Sequence, residues 1–239
     1  MLRWTLRASL AALIALAAYG YVTPGPQQAI WPSLHGWSEI APNVFTDDPE
    51  KSSDILALTE SADREVAAFF GALKSTPRIV ICTKEPCVRQ LIRGNPAPRG
   101  LTYGAHLIII APKGVDQTII THERTHAELH KMARLSDLWD QRIPAWFDEG
   151  LATWLSGAAD VTPPTPEDRA RIEQVISFRD WGPAVHEMTW QRAYGAAQAL
   201  VADMAEAKGP EALRTLIAQV EGGEPFDVLR AELLSSVDK

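Results

Sequence analysis

The chain has 239 residues, 46% of them hydrophobic and 22% charged, with a formal net charge of -7, which is enough length and apolar content for a buried core. An acidic balance without a clustered basic stripe gives no surface for releasing counterions from phosphates, so no nucleic-acid partner is expected. One domain is expected over residues 27–239, after an N-terminal segment of a different kind.

That segment opens with Arg3 and Arg7 before an apolar run from Ala8 to Val22, broken by Pro24, Gly25 and Pro26. Arginines ahead of an apolar stretch stay on the cytoplasmic side, so the rest of the chain is expected to be exported. Fifteen apolar residues are short for a span, and the best cleavage match, Ala18-Tyr19-Gly20, is mediocre. An uncleaved anchor and a cleaved signal peptide both stay open, with the anchor preferred. The expected location is the outer side of the cytoplasmic membrane, or the medium if the signal is removed.

Val44-Phe45-Thr46 can start a strand, and residues 51–73 place Ile55, Leu58, Ala62, Val66, Phe69 and Phe70 at helical spacing. Residues 78–82 and 106–111 are β-branched runs bounded by turn residues and read as strands. Cys82 and Cys87, the only cysteines, can close a short loop as a disulfide in an oxidising compartment or remain two buried thiols. From Asp116 onward the pattern is helical, with segments at about 116–132, 144–157, 166–177, 190–207, 209–220 and 224–235. The expected fold is α+β: a small mixed sheet with helices over 27–115, then a mostly helical part over 116–239.

His122-Glu123-Arg124-Thr125-His126 fits H-E-x-x-H, which puts two imidazoles one turn apart on a helix face with a carboxylate beside them. A catalytic zinc site uses three protein ligands and an open position, so one more ligand must come from elsewhere. His130 continues the stripe, but eight helical residues span about 12 Å, too far for His122 and His130 to share an ion. The metzincin pattern needs Gly at 129 and His at 132, where this chain has Leu129 and Met132. A carboxylate on the next helix is left as the third candidate.

That helix carries Pro144-Ala-Trp146-Phe-Asp-Glu149-Gly150-Leu-Ala152, which resembles the P-x-W-L/F-x-E-G-x-A segment of gluzincins, the thermolysin-like and aminopeptidase-like zinc peptidases. Over about residues 100 to 235 the chain looks like the peptidase MA-like domains of that clan. The resemblance implies a zincin-like fold, Zn2+ as cofactor, a peptide or protein substrate, and metal ligands His122, His126 and Glu149, with Glu123 as general base. An alternative of another class is a non-catalytic, zinc-stabilised binding or assembly module at the membrane surface.

Further roles are expected from the same likeness. Tyr194 is the first choice for a donor to the oxyanion and His186 the second. Thermolysin-like members place an Asp four residues after the ligand Glu to orient a ligand histidine, where this chain has Thr153; support is expected from Thr153 or Asp148. The strand Leu107, Ile108, Ile109, Ile110, preceded by Gly104, is expected either at the sheet edge that pairs with extended substrates or in the core.

Overall fold

The computed structural model describes residues 23–92, 98–132 and 141–235. The run Ala8 to Val22, and with it the choice between anchor and cleaved signal, lies outside the described residues. No helix among the described residues is long and apolar enough to cross a membrane.

The fold is mixed α/β and mostly helical. Five short strands, β1 (Ser38–Ala41), β2 (Val44–Thr46), β3 (Arg78–Ile81), β4 (Gly100–Tyr103) and β5 (Leu107–Ile110), form one sheet in the order β1-β2-β3-β5-β4. The two inner pairings, β2 with β3 and β3 with β5, are parallel, while β1 and β4 run antiparallel to their neighbours. Successive side chains of a strand face opposite sides, and both sides here are covered. Ile79, Ile81, Ile108 and Ile110 pack beneath α1 (Ser52–Phe70), through Ile55 and Ala62. Phe45, Val80 and Ile109 face the other way, against Ala29, Trp37 and α2 (Glu85–Leu91). Burial on both faces is why β3 and β5 read as continuous apolar runs in the sequence.

The strand expected at the substrate edge is therefore misplaced. Leu107–Ile110 lies between β3 and β4, in the interior of the sheet, and its isoleucines are buried. The edge strands are β1 and β4, and Gly104, with φ 56°, turns the chain between β4 and β5. Cys82 and Cys87 are joined by a disulfide with their Cα atoms 5.5 Å apart, which ties the chain just after β3 to α2 within the core.

Among the described residues the regular elements of the second half are helices: α3 (Gln117–Leu129), α4 (Ala145–Leu155), α5 (Pro166–Glu173), α6 (Phe178–Met188), α7 (Trp190–Lys208), α8 (Pro210–Gly222) and α9 (Phe226–Ser235). Helices α2 and α6 have no counterpart in the expected elements. Helix α3 joins the two cores, giving Ile120 and Ala127 to the sheet and Leu129 to the helical cluster around Trp146, Phe147 and Leu151. Helix α4 is buried from Ala145 to Thr153. It crosses α7 so closely that a Cβ on Gly150 would stand 2.4 Å from the Ala197 carbonyl oxygen, so only glycine fits there.

A buried polar network locks α3 to the sheet side. Arg124 is 3% exposed and donates to Asp63 Oδ1 at 2.7 Å and to Ser75 Oγ at 2.6 Å. Glu128 accepts from the backbone N–H groups of Lys74 and Ser75 at 2.7 and 2.9 Å and from the Ser75 hydroxyl. Burial raises the Glu128 pKa, but these donors and Arg124 outweigh it and hold it below the ordinary value. The stabilisation it gives is present above the usual carboxylate range and fades as pH falls through the lowered pKa. Arg124→Met leaves Glu128 buried without its cation and is expected to destabilise by about 3 kcal/mol. Asp63→Asn removes a half-exposed partner and is expected to change stability by less than about 1 kcal/mol. Urea unfolding of the two variants at pH 7 measures the difference.

Candidate metal centre

Helix α3 starts where Asp116 Oδ1 accepts the Ile119 N–H at 2.9 Å, an N-cap that satisfies an otherwise orphaned donor. Arg99 donates to the other oxygen of Asp116 at 2.7 Å and so fastens the approach to β4 onto the same helix end. The 3.6-residue period then brings His122 and His126 to one face, with ring centroids 4.7 Å apart. Opposite them stands α4, with Asp148 and Glu149 both buried.

Three atoms converge there. His122 Nε2 and His126 Nε2 are 3.0 Å apart, and Glu149 Oε2 lies 3.4 and 3.5 Å from them. Those last two distances are long for hydrogen bonds, and Glu149 Oε2 is buried with no hydrogen-bond partner. A buried carboxylate oxygen facing two imidazole nitrogens calls for positive charge there, either a proton on an imidazole or a metal ion. A tetrahedral ion with bonds of about 2.0–2.1 Å sets its ligands about 3.4 Å apart, close to the separations here, so the three residues fit a metal ion.

The remaining atoms of the cluster are committed elsewhere. Asp148 Oδ1 is 2.6 Å from His126 Nδ1 and Asp148 Oδ2 is 2.6 Å from His130 Nε2. The Asp148 carboxylate thus fixes which His126 nitrogen carries the proton and leaves Nε2 to face the ion. His126, His130 and Asp148 also lie close enough to be counted as a metal group, but their facing atoms are already paired with one another. Asp148 takes the supporting role, and Thr153 does not: its hydroxyl donates to the Glu149 carbonyl at 2.7 Å, the ordinary partner of a threonine inside a helix. His130, excluded as a ligand by its distance, is the second residue that Asp148 holds.

Glu123 is buried beside the ligands. Its Oε2 accepts from the Thr102 hydroxyl at 2.7 Å, and the same hydroxyl lies 3.0 Å from the Glu123 carbonyl oxygen. Gly100 and Thr102 share one face of β4. A Cβ at residue 100 would stand 2.5 Å from the Glu123 carboxylate, so glycine leaves the room that Glu123 occupies. Residues 100 and 102 went unnoticed in the sequence because a four-residue edge strand carries little pattern.

Tyr194, on α7, completes the surroundings. Its ring centroid is 5.9 Å from that of His122, and its hydroxyl accepts from Trp181 Nε1 at 3.4 Å. Burial first, then the charges of Glu149 and Glu123, raise its pKa well above the ordinary value, so it keeps its proton at neutral pH. His186 is exposed on α6 and takes no part in the cluster; the residue beside the ligands is Tyr194.

Burial opposes charge on these groups and their mutual pairing overrides it. Burial lowers the pKa of His126, but Asp148 and Glu149 raise it well above the ordinary value. Burial raises that of Glu149, but His126 and His122 bring it down to about 2. A proton and a metal ion therefore compete for His126 Nε2, and metal affinity falls as pH drops below the raised pKa. Calorimetric titration with zinc at pH 7, in buffers of differing ionisation enthalpy, is expected to show one equivalent bound and about one proton released. Glu149→Ala is expected to abolish stoichiometric binding, and Asp148→Asn to weaken it about 10–100-fold. The opposite ranking would move the ion to His126, His130 and Asp148.

No protein-family model, no curated protein and no solved structure matches the chain. The side chains themselves carry the functional reading.

Proposed function

We propose that the chain is an exported zinc peptidase of the gluzincin type, with a zincin-like fold, held to the outer side of the cytoplasmic membrane by the run Ala8 to Val22. The observation that carries this reading is Glu123. A structural metal site closes its fourth position with another ligand and gains nothing from a carboxylate beside it. Here a third carboxylate, besides Asp148 and Glu149, is buried one residue along the helix from His122, with an edge strand holding it in place.

Zn2+ held by His122, His126 and Glu149 supplies Lewis acidity toward water and a peptide carbonyl at neutral pH. Glu123 takes a proton from the attacking water and returns it to the departing amine. Thr102 holds Glu123 Oε2, and Gly100 leaves room for the rest of the carboxylate. The Tyr194 hydroxyl donates to the oxygen on which negative charge develops, and its raised pKa keeps it a donor throughout the neutral range. Strand β4 is a sheet edge beside Glu123, and backbone pairing along it lines up an extended polypeptide with little demand on sequence.

Glu123→Gln separates binding from proton transfer, because an amide of the same shape cannot accept a proton. With denatured casein as substrate, this variant is expected to retain its zinc and its unfolding midpoint and to lose about 10²–10⁴ in rate. Tyr194→Phe is expected to lose about 10² in kcat with little change in KM. A Glu123→Gln protein that complements a deletion strain while a metal-free Glu149→Ala protein does not would establish the zinc-stabilised binding module in place of the peptidase.

A further inference from the structure

Beyond catalysis, and resting on the N-terminal anchor just proposed, we infer that residues 26–35 sit in the lipid headgroup layer. The domain is thereby held with its sheet between the bilayer and the metal centre. The segment forms two short 3-10 helices, Pro26–Ile30 and Pro32–His35. It carries three of the nine large exposed hydrophobic residues of the described chain: Ile30 at 54%, Trp31 at 44% and Leu34 at 64% exposure. Nonpolar side chains concentrated in five residues, with a tryptophan among them, suit the boundary between headgroups and acyl chains.

The chain has little slack before this patch. The apolar run ends at Val22, and by residue 25 the backbone is tied to the domain, the Gly25 N–H donating to the Gln90 carbonyl at 2.7 Å. The Gln28 side chain donates to the Thr23 carbonyl, and Arg78 donates to the carbonyls of Ala29 and Ile30. Gln28, Ala29, Pro32 and Trp37 are buried. Three residues of extended chain reach about 10 Å, whereas the headgroup zone is about 5–8 Å deep on each side of the hydrocarbon. An anchor ending at residue 22 therefore keeps Gly25 within about 10 Å of the hydrocarbon edge, close enough for the apolar patch beside it to enter the headgroups.

The consequence concerns substrates. Ala29 and Trp37 pack on the sheet face formed by Phe45, Val80 and Ile109, whereas α3 lies on the opposite face with Ile79, Ile81, Ile108 and Ile110. Two packed layers, each about 10 Å thick, separate the metal centre from the membrane. The site then meets polypeptide about 20 Å out in the aqueous phase, not segments embedded in the bilayer.

The test uses the full chain in vesicles of phosphatidylethanolamine and phosphatidylglycerol, with a nitroxide on Ile30→Cys, Trp31→Cys or, as control, the exposed Val228→Cys. The native cysteines are disulfide-bonded and take no label. Power saturation is expected to show labels 30 and 31 open to oxygen and several-fold less open to a water-soluble nickel chelate than label 228. Exclusion of both reagents would mean that residues 1–22 or a second copy of the chain cover the patch, and would overturn the inference. So would nickel access equal to that at 228 in protein that floats with the vesicles. Protein that fails to float would overturn the anchor itself, and the docking with it.

Discussion

Two adjacent carboxylates on a helix buried on every side are the constraint on which the rest depends. Asp148 and Glu149 occupy the one stretch of α4 that faces α3, and an unpaired buried carboxylate costs several kcal/mol. The histidines of α3 meet that demand in two ways. Asp148 is satisfied by protein alone, through His126 and His130. Glu149 is not, since its Oε2 has no hydrogen-bond partner. One carboxylate is therefore held by protein alone and the other is the candidate ligand, although they are neighbours in sequence and both buried. The difference is set by angle: successive helical residues point about 100° apart, so only one of the two can face both Nε2 atoms.

The same asymmetry orders the packing behind the site. Gly150 lets α7 approach α4 closely, which brings Tyr194 beside His122. On the other side of α3, strand β4 is held by its pairing with the interior β5, and Arg99 fastens its start to the N-cap of α3. The site is thus a seam between the sheet and the helical part: α4 and α7 bring Glu149 and Tyr194 to α3 from one side, and β4 brings Thr102 to Glu123 from the other.

Much of this was legible in the sequence, for a physical reason. The spacing of His122 and His126 is a helical period, and the string around Glu149 begins at a proline and runs apolar, so both helices announce themselves. The interior strands were legible because both their faces are buried. That same property misled the placement of the edge: Leu107–Ile110 is conspicuous because it is central, whereas β4 has Gly and Thr on its inner face and nothing to mark it as a strand. Thr153 was assigned by position in a motif, but a hydroxyl inside a helix has the carbonyl one turn back within reach, and that local bond won. Asp148 is the other expected source of support for a ligand histidine, and its bonds to His126 and His130 decide between the two.

The residues on the back face of α3 explain why the site is placed so firmly. Rotation along α3 sends His122, Glu123 and His126 toward β4, α4 and α7. Thr121, Arg124 and Glu128 turn toward α1 and the chain after it, where Thr121 donates to Glu65 and Arg124 and Glu128 grip Ser75. Each of these bonds is directional and buried or partly buried, so together they fix the roll of the helix about its axis as well as its position. A roll of even 20° would carry an atom about 6 Å from the axis through about 2 Å, well outside the tolerance of about 0.5 Å that a metal centre or a general base allows. Apolar packing through Ile120 and Ala127 alone would permit such a roll, since hydrophobic contact has no direction. The charged back face of α3 therefore positions the candidate metal centre on its front face, although its own bonds run to α1 and the chain after it.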